Sequence, residues 1–292
     1  MNFSFGPLAL TLGALNLIFL IVGVHFHISE FKKNRRNGGF SEGMLEPWRT
    51  GRKEILVFAG IFFVVVLLVP TLVFRAAGAL FPEIDLVKDP VYIVGFYQPV
   101  DLAFLLGVCF SGKKTTSRFL GIADTWNAAS AKPLISRISP CSRSNVWQFF
   151  ALMMLAVTLA GLLSQCVPLV FPSLKDAWAQ NQILVDNLRT LENPWILFIL
   201  VPTLTVFTPI LEEILFRAGI YHLLRNKMSA VPAALLTGFC FAIMHDSFAG
   251  ILPLTVLSCV LCYAYERTGK LAVPIIMHGL FNLNTLLLIF AE

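Results

Sequence analysis

The stretch that decides the fold is residues 194–217, PWILFILVPTLTVFTPILEEILFR. It is apolar over a length that would carry a helix across a hydrocarbon core of roughly 30 Å, at about 1.5 Å per residue. It then closes on two adjacent carboxylates, Glu212 and Glu213, followed one turn later by Arg217. Ionisable groups within a bilayer cost at least a few kcal/mol each, so these three side chains require a reason.

The rest of the chain has the same character. Of 292 residues, 57% are hydrophobic and 13% charged, against roughly 45–50% and about 25% in a soluble chain. The mean hydropathy of +0.77 agrees, and a water-soluble globule is excluded. We therefore read an all-α fold, a polytopic helical membrane protein. Apolar runs at about 7–28, 55–74, 91–110, 146–171, 194–216, 230–248, 250–265 and 271–290 predict about eight transmembrane helices. The first run carries no basic leader and no small-residue cleavage site, so it reads as an uncleaved anchor. Residues 1–193 form a set of N-terminal membrane helices with two basic loops, and residues 194–292 form the segment that holds the chemistry.

The net charge of +5 reflects topology. Eighteen of the 22 Lys and Arg fall on one side of the predicted spans, in the loops 29–54 and 111–145 and at Arg217, Arg225, Lys227, Arg267 and Lys270. Only Arg75, Lys88, Lys175 and Arg189 fall on the other. The positive-inside rule places the first set in the cytoplasm and both termini outside it, in an integral, multi-pass protein of the plasma or inner membrane. No basic domain interleaved with aromatics is present, so no nucleic-acid partner is expected; the lipid bilayer is the expected surroundings, and the basic loops suit anionic headgroups. Among six cysteines, Cys259 and Cys262 spell CxxC in mid-span without the further ligands a zinc knuckle needs.

Buried polar residues locate the chemistry. In the first half, Asn16 and Asp101 fall within spans, and His25 and His27 end the first; Asp101, near Gln98, suits helix packing or a cavity lining. The last hundred residues are richer. Glu213 and Arg217 are i and i+4 on a helix and can pair, whereas Glu212 is rotated by about 100° and cannot share that arrangement equally. The division is a structural Glu213–Arg217 pair and a functional Glu212, whose burial would suit a general base. Phe241 and His245 form a second i, i+4 pair, and His278 and Asn282 a third, with Gly279 permitting close approach. If the fifth helix continues through Leu224, Glu212 and His245 lie at similar depths, roughly 21 and 22 Å from the same side.

The ordered set Glu-Glu-x-x-x-Arg, Phe-x-x-x-His and His-x-x-x-Asn resembles the signature of the CPBP intramembrane proteases, which include the type II CAAX prenyl endopeptidases and the bacteriocin-processing and immunity-associated Abi proteins. The resemblance covers about residues 194–290. It implies an intramembrane endopeptidase in which Glu212, with His245, orients and deprotonates water. His278 and Asn282 would stabilise the oxyanion or help to hold a metal; Glu213 and Arg217 would brace the site and Phe241 would wall it. The substrate implied is a membrane-associated peptide or protein, prenylated or not. Zinc is an open expectation: Glu212, His245 and His278 would be its ligands, giving a CAAX-protease-like metalloprotease, while the absence of an HExxH spacing favours glutamate-activated water without metal. The alternative is an inactive scaffold, immunity or transporter-like protein using the same polar cavity, since intramembrane Glu and His also serve proton relays.

Overall fold

The computed structural model describes residues 52–80, 98–105, 143–179, 194–245 and 247–291, with short pieces at 11–18, 21–22, 24–25, 82, 107, 188–189 and 191. Among the described residues the secondary structure is helical, without strands, and the protein is a helical integral membrane protein. Helix α1 runs from Arg52–Phe63 through a π-helical stretch, Val64–Leu68, into Val69–Leu80. Helix α2 is Arg143–Val170, followed by a 3-10 turn, Pro172–Leu174, and a single helical turn, Lys175–Ala179. Helix α3 spans Pro194–Arg225; α4 is Ala230–Ile243, α5 is Ile251–Thr268 and α6 is Ala272–Ala291.

Four helices among the described residues are long and apolar enough to cross a membrane: Ile55–Leu80, Val146–Val170, Pro194–Arg225 and Ala272–Ala291. The expected count of eight is not reproduced. The spans expected at 7–28 and 91–110 are described only in part, at 11–18, 21–22 and 24–25 and at 98–105 and 107. The one expected at 230–248 stops at Ile243; its 14 residues rise only about 21 Å, short of a full crossing. The physical reason is the polar turn after it, where His245 N–H donates to Ala242 O at 3.1 Å and Gly250 N–H donates to Ser247 Oγ at 3.1 Å before α5 begins. Conversely, the fifth helix does not end near Phe216 but continues to Arg225.

The chain forms two compact units. One contains α1, the helical residues 98–105 and α3. Its core includes Phe58, Ile61, Val65, Leu102, Leu105, Leu200, Leu204, Leu215 and Phe216. Phe62 meets Phe216 edge-on at 6.4 Å. Phe58 lies so close to α3 that a Cβ on Gly219 would fall 2.3 Å from its ring, which explains a glycine within an otherwise bulky helix.

The other unit contains α2, α4, α5 and α6. Here α5 packs against α2, α4 and α6, and buries Leu257, Ser258, Leu261, Cys262 and Ala264 completely. Gly238 of α4 sets the approach to α5: an added Cβ would stand 2.7 Å from the Thr255 carbonyl oxygen. Small residues at such crossings let backbones meet and replace the hydrophobic drive that lipid removes. Large apolar side chains such as Leu56, Leu162, Leu163, Trp195, Phe198 and Val231 are exposed on the molecule, as expected where acyl chains are the solvent. Cys166, Cys240, Cys259 and Cys262 form no disulfide.

Candidate active site

Helix α3 carries the acidic pair on a short α-helical piece, Thr208–Glu213, between two π-helical stretches, Thr203–Phe207 and Ile214–Tyr221. The cause is readable in the residues. Pro202 and Pro209 have no N–H to give to the preceding turn, so the hydrogen-bond ladder must slip around them. Thr203 and Thr205 hydroxyls donate to the carbonyls of Ile199 and Val201 at 2.8 and 2.7 Å, a local alternative that accompanies bending. π-Helical bulges recur at functional sites. α1 shows the same combination, with Pro70 after its π stretch and Thr71 Oγ1 donating to Leu67 O at 2.6 Å.

Arg217 Nη1 lies 2.9 Å from Glu213 Oε1 in an ion pair, and both side chains are fully buried. The expected i, i+4 pairing of Glu213 with Arg217 is present. Glu212 is half-buried, with its Oε2 atom shielded, on a different azimuth from the ion pair. One turn before Glu212, the Thr208 hydroxyl donates to Gln98 Oε1, a contact absent from the expectations. It joins residues 98–105 to the same face of α3 that bears Glu212.

In the other unit, Phe241 is fully buried near the end of α4. Its ring lies 4.5 Å from that of His245, tilted by 42°, and 5.8 Å from that of His278, nearly edge-on at 69°. One phenyl group therefore seats two imidazoles drawn from α6 and from the turn after α4. His245 is not on the helix, as its i+4 spacing implied, but just past its end. Its Nδ1–H donates to Phe241 O at 2.8 Å. A carbonyl can only accept, so Nδ1 is the donor in this contact, and in the neutral ring Nε2 is then the nitrogen that carries the lone pair. His278 is buried, and Asn282 follows one turn later on α6, half-buried.

A further tie was missed in the sequence. Ser164 of α2, almost fully buried, donates to Ala249 O at 2.7 Å and accepts from Trp178 Nε1 at 3.2 Å. The turn that follows His245 is thereby fastened to α2. Nothing in the local pattern around Ser164 points to a partner 85 residues away.

Residues 193–284 match the family model described as type II CAAX prenyl endopeptidase, Rce1-like. The matched segment contains every residue of the three motifs. The chain is 33% identical over 78 residues to YdiL of Bacillus subtilis (strain 168), a proposed membrane peptidase by its name; the match covers 27% of this chain and 32% of that protein. It is 31% identical over 81 residues to the UPF0177 protein YxdF of Lactococcus lactis subsp. lactis (strain IL1403), covering 27% of this chain and 44% of the other. The match thus spans less than half the length of these relatives. No solved structure matches the chain. Among the described residues, no group of three or more His, Cys, Asp and Glu side chains is arranged to hold a metal ion. The metalloprotease reading, with Glu212, His245 and His278 as ligands, accordingly gains no support.

Proposed function

We propose that the chain is an intramembrane endopeptidase whose core is residues 194–292. Glu212 takes the proton of a water molecule as that water attacks the scissile carbonyl carbon, and His245, through Nε2, orients and shares that proton. His278 and Asn282 donate to the oxyanion, where a preorganised donor is worth the most. When the C–N bond breaks, the same proton passes to the leaving amine, giving a new carboxylate and a new N-terminus. Glu213 and Arg217 neutralise one another, and Glu212 is the reacting carboxylate.

The observation that carries the reading is the seat formed by Phe241. It supports two imidazoles, one with a defined tautomer, within a segment similar to a membrane endopeptidase family. An apolar packing role would not require a histidine whose Nδ1 is committed to the backbone and whose Nε2 is left able to accept a proton.

The substrate class is a membrane-associated peptide or protein, reached from the bilayer of the plasma or inner membrane, with both termini of the enzyme outside the cytoplasm. No nucleic acid takes part. Prenylation of the substrate is a separate question, answered by offering matched tethered peptides with and without a farnesylated cysteine. The experiment that tests the function incubates purified protein in liposomes with such peptides in H2 18O. Hydrolysis gives two fragments, with one 18O atom in the new carboxylate. Intact peptides after prolonged incubation, alongside ion flux dependent on Glu212, would replace this reading with a transport one.

A further inference from the structure

Asp101 is the buried acid that the reaction above does not use. Within residues 98–105 the buried positions are Gln98, Asp101, Leu102 and Leu105, whereas Val100, Ala103 and Phe104 are exposed. This i, i+3, i+4, i+7 stripe marks one helix face turned inward. Asp101 is only 1% exposed, and its Oδ1 has no hydrogen-bond partner in the protein. A leucine would fill such a place without the penalty of a buried carboxyl oxygen that has no partner, so packing does not explain the residue.

Its position relative to α3 follows from one fixed contact. Thr208 donates to Gln98, so these two residues lie at the same depth. In the sequence one apolar run long enough to cross, 146–171, lies between the runs at 91–110 and 194–216, so by hydropathy the two helices pass through the bilayer in the same sense. From Gln98, Asp101 is three residues on, a rise of about 4.5 Å; from Thr208, Glu212 is four residues on, a rise of about 6 Å in the same direction. Asp101 shares the inward face with Gln98, and Glu212 shares a face with Thr208. Both carboxyl groups belong to the same compact unit.

We propose that Asp101 is a further catalytic residue, which faces Glu212 across the Gln98–Thr208 contact and holds with it the water molecule that Glu212 activates. The proposal rests on the endopeptidase reading for its chemistry and on the helix geometry for its placement. Asp101 supplies acceptor oxygen to the second proton of that water. This fixes the orientation of the lone pair directed at the substrate, while Gln98 and Thr208 lock the spacing of the two helices. Buried polar groups and internal water pair in this way, with such a water making about three hydrogen bonds.

Two measurements test it, one of them independent of activity. The first replaces the six native cysteines, places a specific protease site in the loop 111–142, and introduces Asp101→Cys with Glu212→Cys. Mercuric ion, which bridges two thiolates, should then hold the cleaved fragments together, whereas Asp101→Cys with Ile210→Cys should not be bridged. Failure of the first pair to bridge overturns the placement whatever the protein catalyses. The second compares Asp101→Asn and Asp101→Leu in the peptide assay. We expect Asp101→Leu to lose at least 100-fold in kcat with KM within twofold, and Asp101→Asn, which still has an acceptor oxygen for water, to recover at least tenfold of that loss. Wild-type kcat in Asp101→Leu, or a change confined to KM, overturns the catalytic role. Absence of peptidase activity in the parent protein would instead refute the endopeptidase reading and, with it, the catalytic role, while leaving the bridged pair as evidence of placement.

Discussion

Replacement of Arg217 by methionine should expose what the buried pair contributes. Arg217 and Glu213 are both fully buried and 2.9 Å apart, so loss of the guanidinium leaves a carboxyl group without its charged partner in a medium that solvates it poorly. Removing one member of a buried ion pair costs about 3–5 kcal/mol, whereas replacing both by apolar residues of similar volume is often neutral. At about 1.4 kcal/mol per decade, the single change lowers the folded-to-unfolded ratio by roughly 10²- to 4 × 10³-fold. Arg217→Met and Glu213→Met should each be strongly destabilised, and the double variant should be more stable than either by at least about 2 kcal/mol. Reversible unfolding in mixed micelles, followed by tryptophan fluorescence, measures all four corners of the cycle. Additive losses, with the double variant the least stable, would refute the argument that the pair exists to neutralise itself and leave Glu212 as the reactive acid.

Three other consequences follow from particular contacts. Gly238→Val brings a side chain against the Thr255 backbone oxygen and should cost about 1–3 kcal/mol by overpacking, seen as a lower midpoint in the same unfolding assay; Gly161→Val, where an added Cβ meets nothing within 4 Å, should leave the midpoint nearly unchanged. Phe241→Ala removes the ring between His245 and His278 and should cost about 3–5 kcal/mol; Phe241→Leu should retain most of the stability yet lose turnover, because the imidazoles are no longer seated, a difference read from kcat on folded protein. Ser164→Ala cuts the turn after His245 from α2 and leaves the Ala249 carbonyl without this donor, at a cost of about 1–3 kcal/mol. It should speed amide exchange at residues 245–250 relative to the body of α4, as hydrogen-exchange mass spectrometry would show.

Much of this was legible in the residues because each relevant signal was local. The Glu213–Arg217 pair follows from i, i+4 spacing in an apolar run, and the Phe241–His245 pair follows the same rule, although His245 sits in a turn. α6 begins within a residue of where the apolar run predicts it. What was not legible depends on partners distant in the chain. Ser164 has no neighbouring signal for its contact with Ala249, and Gln98 finds Thr208 across 110 positions. The π-helical stretches are an intermediate case. Pro70, Pro202 and Pro209 within long apolar runs announced a disturbed ladder, but hydropathy alone gives a length and not a hydrogen-bond pattern. It also overstated the sixth span, because the polar interruption His245-Asp246-Ser247 is short and the run resumes at Phe248, so averaged hydropathy carries across the helix end.

The most direct test of the central claim is the turnover of a bilayer-tethered peptide by purified wild-type protein and by Glu212→Gln, which keeps the shape of the side chain and removes the base. The account predicts cleavage by the wild type and a loss of at least 10²-fold in kcat for the variant, consistent with the contribution of a positioned general base, with the unfolding midpoint preserved. Undiminished cleavage by Glu212→Gln would contradict it.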